Sequence, residues 1–324
     1  GESVISYSAA DTYGRAVLVG LLNTLRVSVI GIVAATVLGT ALGIGRLSRN
    51  WLIARLCGVY IELMRNVPLL IQLFFWYAFI TEALPAARDA LTPLPGVFLS
   101  NRGLMVPWLV GPAMDWIFGG LALAIALIVA LAHWARRHHD ATGKDFPLLP
   151  VALLLLVLLP LGLWWISGSS LSVDWPALKG FRFQGGLSLS PEFSALLAGL
   201  VIYTSAYIAE VVRSGIQAVN KGQWEAAASL GLSRLRTLRM VVLPQAMRVM
   251  IPSMTSQYLN LVKNSSLAVA IGYPDIVSVA NTMMNQTGQA IEGVLIIMMV
   301  YLAFSLSISV FMNWYDRRMA LVER

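Results

Sequence analysis

Seven apolar runs, each near the length of a helix that crosses a lipid bilayer, constrain this chain more than any other feature. They fall at roughly 17–45, 67–83, 116–134, 148–167, 193–213, 246–271 and 290–314. A hydrocarbon layer about 30 Å thick takes about 20 residues of helix to span, and a helix there pairs its backbone N–H and C=O groups within its own segment. Val151 to Leu163 is the most apolar stretch. Charge is scarce to match: 12% of residues are charged and 58% hydrophobic, where a soluble domain carries about 25% charge. The expected fold class is all-α, a polytopic transmembrane helical bundle of about seven spans.

The basic residues set its orientation. Arg46, Arg49, Arg55 and Arg65 follow the first run, and Arg136, Arg137 and Lys144 the third. Arg213, Lys221, Arg234, Arg236, Arg239 and Arg248 follow the fifth, and Arg317, Arg318 and Arg324 close the chain, together sixteen of its 23 lysines and arginines. Positive loops stay inside, so the segment 214–245 and the C-terminal tail, 319–324, are expected in the cytoplasm. The remaining basic residues are Arg15, Arg26, Arg88, Arg102, Lys179, Arg182 and Lys263.

Read this way the net charge of +7 is topological. The cations lie between apolar runs rather than on an aromatic-interleaved face, so membrane lipid is an expected partner and nucleic acid is not. Seven spans place the segment 1–15 outside. The chain opens on Gly1, and Gly1 to Asp11 lacks the basic start and apolar centre of a signal peptide, so an upstream segment carrying a further span is expected. A single cysteine, Cys57, excludes an intrachain disulfide. Two outer loops, Leu84 to Pro112 and Gly168 to Pro191, are rich in Pro or in Ser and Gly; they are expected as ordered irregular surface where a solute receptor can rest.

One polar island interrupts the apolar pattern. Asn220-Lys221-Gly222 should end the preceding helix, and Gln223 to Leu230 should form a short exposed one with Glu225 in its first turn, where the dipole favours an acid. Gly231 is placed to terminate it. Ser233 can cap a second helix over 234–242, ahead of Leu243-Pro244. Ala226, Ala227 and Ala228 leave a smooth face between Trp224 and Leu230, which suits docking into a partner's groove.

The order Glu225-Ala226-Ala227, three residues, Gly231, nine residues, Val241, one residue, Leu243-Pro244 resembles the EAA loop of ABC-importer permeases, with Val241 where that pattern has Ile. Tyr60 to Phe75, Gly222 to Ala227 and Leu261 to Leu267 look like segments of the histidine/glutamine/arginine/opine-type permease family, over roughly 16–83 and 190–318. The extra spans within 116–167 depart from its five-span members. They look like those of general L-amino-acid and glutamate/glutamine/aspartate/asparagine permease subunits.

This resemblance implies the type I importer permease fold over 16–318 and a role in amino-acid import. It also implies partners: a cytoplasmic ABC ATPase, a second permease subunit, a periplasmic amino-acid-binding protein and the amino acid itself, in a bacterial inner membrane. The ATPase would dock on Gln223, Trp224, Glu225, Ala226, Ala227, Leu230, Gly231, Leu243 and Pro244.

No Gly-x-x-x-x-Gly-Lys-Ser/Thr is present, so ATP and Mg belong on the partner ATPase and this chain is not expected to be an enzyme or to bind a cofactor. His133, His138 and His139 share no helical face and have no acidic or thiol cluster beside them, so no metal site is expected. Polar groups inside spans usually face a cavity or a partner. On that ground Gln257, Asn260, Lys263, Asn264, Ser265 and Ser266 of the sixth run, Gln72 of the second and Glu210 of the fifth are candidates for substrate binding, with Lys263 meeting a carboxylate and Glu210 an ammonium group. Glu62 and Arg65 are expected as an i, i+3 pair. The alternative, a gradient-driven secondary transporter, calls for an inverted internal repeat, and none is visible.

Overall fold

The computed structural model describes residues 11–143, 146–180 and 182–319; the expectations for 1–10 and for the tail from 320 lie outside them. Helix α1 (Tyr13–Arg46) starts at Thr12, whose Oγ1 accepts the Arg15 N–H at 3.4 Å, and ends on a basic residue, as the helix dipole favours. Helices α2 (Trp51–Asn66) and α3 (Leu69–Ala78) meet at 103°, and a π-helical turn, Phe79–Ala83, extends α3. Pro68 makes the bend. It has no N–H for the carbonyl of Met64, four residues back, and it holds Val67 extended at φ −94°, ψ 126°. The run at 67–83 is therefore one limb of a broken pair, whose other limb is an amphipathic helix that a hydropathy window passes over.

A second compact unit comprises Pro85–Ser100 and Leu104–Ser188. Short strands open it: β1 (Leu91–Leu94), β2 (Val97–Ser100), β3 (Gly103–Val106) and β4 (Trp108–Val110). A hairpin of α4 (Ala113–Thr142) and α5 (Leu148–Ser167) follows, then β5 (Ser172–Asp174), β6 (Ala177–Lys179), β7 (Arg182–Gln184) and β8 (Leu187–Leu189). The sheet order is β1-β2-β3-β8, while β4 pairs with β5 and β6 with β7, both antiparallel. In the helical hairpin Gly120 permits close approach, since a Cβ there would lie 2.6 Å from Pro160 Cα. The two loops expected as irregular surface are thus paired strands. Strands this short carry no readable alternation, and β4 finds β5 only because the hairpin between them brings both ends together.

The remaining helices belong to the first unit. They are α6 (Pro191–Gln217), α7 (Lys221–Ser229), α8 (Arg234–Thr237), α9 (Leu243–Asn264), α10 (Ile276–Thr287) and α11 (Ala290–Met319). The helix expected over 234–242 does not stop before Pro244. It passes through a π-helical turn, Leu238–Val242, in which the Leu243 N–H reaches back to the Leu238 carbonyl, and Pro244, which has no N–H to donate, follows as the second residue of α9.

Helix α1 lies directly on α6. A Cβ at Gly39 would stand 2.7 Å from Ile208 Cβ and from the Ser205 carbonyl, so only glycine permits this approach. A second break separates the 3₁₀ turn Ser265–Ile271 from α10, and α1 repairs it with side chains. Asn23 Nδ2 donates to the Pro274 carbonyl at 3.0 Å, Thr24 Oγ1 accepts from the Ile276 N–H at 3.0 Å, and the buried Asp275 caps α10 by accepting from the Ser278 N–H at 2.8 Å. Among the described residues, α1, α4, α5, α6 and α11 carry stretches long and apolar enough to span a membrane, and the two bent pairs raise the number to as many as seven. That agrees with the seven apolar runs.

Candidate functional site

The polar island folds as a short helix between α6 and α8. Asn220 Oδ1 accepts the Gly222 N–H at 2.8 Å, so α7 begins two residues earlier than the helix-former run suggests. Its other end is a Schellman closure: the Gly231 N–H bonds the Ala228 carbonyl at 2.9 Å and the Leu232 N–H bonds the Ala227 carbonyl at 3.1 Å. Gly231 adopts φ +72°, the left-handed conformation this closure demands.

The two faces of α7 differ. Ala227 is buried and Trp224 packs on a cluster formed by Ile208, Val212, Val242, Ala246 and Met250, so Trp224 holds the helix to the bundle. Gln223, Glu225, Ala226, Ala228 and Gly231 are exposed, and Leu230 projects with 80% of its surface free. Gln245 Nε2 donates to Gln223 Oε1 at 3.2 Å and ties α7 to the first turn of α9. Pro244 and Leu243 start that turn. Arg49, Trp224, Ala228, Leu232 and Thr237 line an open pocket of about 400 Å³ beside the helix.

The structure arranges α9 with a polar row on an exposed face. Ser253, Ser256, Asn260 and Lys263 recur at helical spacing and are all exposed, with Gln257 half-buried beside them. Ser253 and Ser256 were not among the sequence candidates; extending the Asn260–Lys263 spacing towards Pro252 would have found them. Lys263 forms no ion pair among the described residues. Its neighbours in sequence turn inward: Asn264 is half-buried, the buried Ser265 donates to the Val262 carbonyl at 2.7 Å, and Ser266 donates to the Lys263 carbonyl at 2.7 Å.

Two candidates are instead taken up by the chain itself. Gln72 is buried, and its Nε2 donates to the carbonyls of Met64 and Val67, both at 3.0 Å. Met64 is the acceptor that Pro68 leaves unpaired, so Gln72 closes the bend. Glu210 lies within an ion-pair group that joins α1, α2 and α6. Arg46 reaches it at 3.1 Å, Arg213 Nε binds both its oxygens at 3.2 and 3.1 Å, and Arg46 also meets Glu62 at 3.3 Å. Glu210 therefore has cationic partners of its own and is not open to an ammonium group. Glu62 is met by Arg46, and the Arg65 guanidinium stands over the Tyr207 ring at 5.2 Å, in place of the simple pair expected between them.

Known proteins resemble this chain in sequence and in fold. The family described as binding-protein-dependent transport system inner membrane component matches residues 146–321. The chain is 51% identical over 325 residues, all of its own length and 83% of the relative, to a putative amino-acid ABC transporter permease protein, YhdX, of Escherichia coli. It is 49% identical over 328 residues, again its full length and 81% of the relative, to the general L-amino acid transport system permease protein AapQ of Rhizobium johnstonii. In fold it is similar to a chain of an amino acid ABC transporter crystallised with histidines, at a TM-score of 0.55 and 21% identity, covering 94% of this chain and 95% of that one. An inward-facing MetNI methionine ABC transporter gives a TM-score of 0.52 at 12% identity, covering 95% and 97%.

Proposed function

Because the chain belongs to the family of binding-protein-dependent transport system inner membrane components, we propose that its exposed α7 is the docking point through which a separate ATPase drives amino-acid import. It is a multi-pass permease subunit of an ATP-driven importer. The observation that carries the coupling role is the attachment of α7 to α9 through Gln223–Gln245 and the packed Trp224. A push on Leu230 and Glu225 moves α9, about 30 Å long from Leu243 to Lys263, and with it the polar row that runs about 15 Å from Ser253 to Lys263.

That row lines the path. A stripe of hydroxyl, amide and ammonium groups facing hydrocarbon would be costly, so in the assembled importer it faces a second permease subunit across a water-filled route. Lys263 meets the substrate carboxylate there, and Gln257 and Asn260 accept from its ammonium group. ATP and Mg²⁺ bind the ATPase, and this chain contributes neither a nucleotide site nor a cofactor site. The α7 side faces the cytoplasm of a bacterial inner membrane, and an amino-acid-binding protein delivers substrate from the opposite side. Alternation between outward- and inward-open states is a rigid-body movement of the two permease subunits, biased by ATP through α7.

The test is ATPase activity of the complete complex in lipid vesicles, with and without amino-acid-loaded binding protein. Stimulation is expected in the wild type. In Glu225→Lys, basal hydrolysis should remain and the stimulation should be lost. A stimulation equal to wild type in that variant removes α7 from the coupling path.

A further inference from the structure

The second unit carries an exposed apolar surface apart from α7 and α9. The β4–β5 ribbon has residues exposed along both strands, yet four of its positions are Trp108, Leu109, Val110 and Val173. A two-stranded ribbon open to water on both faces is at best marginally stable. Register sorts its side chains. Leu109 pairs with Val173 on one face, each 45% exposed, while Trp108 pairs with Asp174 and Val110 with Ser172 on the other. One face is wholly apolar and the other is mixed.

Covalent connection fixes how far this ribbon can stand from a bilayer. Two residues lie between Val110 and the start of α4 and four between the end of α5 and Ser172, so the Cα-to-Cα reaches are at most about 10 and 17 Å. The real distances are shorter, because the chain folds back over the helix ends. Trp164 Nε1 donates to the Ser169 carbonyl at 3.1 Å, and Gly111 lies so close to Ser170 that a Cβ there would sit 2.4 Å from its carbonyl oxygen. Helix α5 has 20 residues, about the 30 Å of the hydrocarbon layer, so its last turn ends at the layer's edge. Trp116, at the adjoining end of α4, and Trp165, 84% exposed in that last turn of α5, mark the same level, where Trp rings concentrate. Trp175 follows β5 directly, one side of its ring against Gly96 and more than half of its surface free.

We propose that the β4–β5 ribbon lies in the membrane interface, with Leu109 and Val173 against the acyl chains and Ser172 and Asp174 towards water. The ribbon continues the lipid-exposed surface of α4 and α5 rather than offering a platform to a soluble protein. Its apolar residues anchor the inserted helical hairpin at a fixed depth. The proposal does not depend on the transport reading.

Spin labels on single cysteines test it. In a Cys57→Ser background, Leu109→Cys, Val173→Cys, Ser172→Cys and Val110→Cys are labelled and measured in lipid nanodiscs, with Val157→Cys, an exposed position in the middle of α5, as the reference within the hydrocarbon layer. Labels at 109 and 173 should collide with oxygen in preference to a water-soluble nickel chelate, approaching the reference. Labels at 172 and 110 should show the opposite preference, several-fold apart. Thermal transitions matching the unlabelled protein establish that each variant is folded, and four positions provide two independent readings of each face. Nickel access at all four positions overturns the proposal. So does shielding of 109 and 173 that arises only when a soluble binding protein is added, since the surface would then be a receptor platform.

Discussion

Substitution of Gly231 isolates the physics of the coupling helix. The residue holds φ +72° and no atom lies within 4 Å of where a Cβ would stand, so a side chain there meets no clash and its cost is confined to the backbone. For a residue with a Cβ that conformation costs about 1–2 kcal/mol, which corresponds to a factor of about 5–30 in the local opening of the α7 terminus. Asparagine tolerates the left-handed region better than alanine, and a β-branched residue worse. Amide exchange at Leu230, Gly231 and Leu232 should therefore quicken in the order Gly, Asn, Ala, Val, with the alanine variant about 5- to 30-fold faster than wild type. Stimulated ATPase activity should fall in the same order while the bundle's thermal transition holds. Exchange in Gly231→Val equal to wild type would falsify the Schellman account of this turn, and a ranking that follows side-chain volume rather than backbone preference would do the same.

Other sites give independent readings. Gln72→Leu strands the Met64 and Val67 carbonyls at the bend, so stability should fall by about 1–3 kcal/mol with the KM for amino acid unchanged; a raised KM at unchanged stability would return Gln72 to the substrate site. Gly39→Leu forces α1 from α6, where a Cβ already meets Ile208 at 2.7 Å, and should cost at least about 1–3 kcal/mol and deplete folded protein from membranes. Gly58→Leu, whose nearest neighbour would be Arg46 Nε at 3.9 Å, should be tolerated, and equal loss in both would refute the packing argument. Lys263→Ala should abolish or alter uptake while the complex still assembles; unaltered uptake kinetics would remove Lys263 from the path.

The spans were legible because hydropathy is averaged over a whole helix and tolerates local error. Helix α7 was legible for the opposite reason: its ends are local, set by Asn220 on one side and Gly231 on the other. What escaped depends on distant partners. Nothing near Glu210 in sequence shows that Arg46, on α1, will meet it, and nothing near Asn23 points to Pro274. Gln72 is instructive in a different way. Pro68, four residues earlier, announces a missing N–H, and a buried amide nearby is the natural replacement, so the bend and its closure could both have been read from Met64 to Gln72. The strands β4 and β5 carried no such hint, because three-residue segments acquire their conformation from each other.

The central claim is that ATP, through α7, drives amino acids along the path lined by α9. Uptake of labelled amino acid by vesicles that contain the complete complex, with binding protein outside and ATP enclosed within, tests it most directly. The account predicts accumulation that requires ATP, persists when ion gradients are collapsed, and is lost in Glu225→Lys. Accumulation that follows an imposed ion gradient and ignores ATP would contradict it.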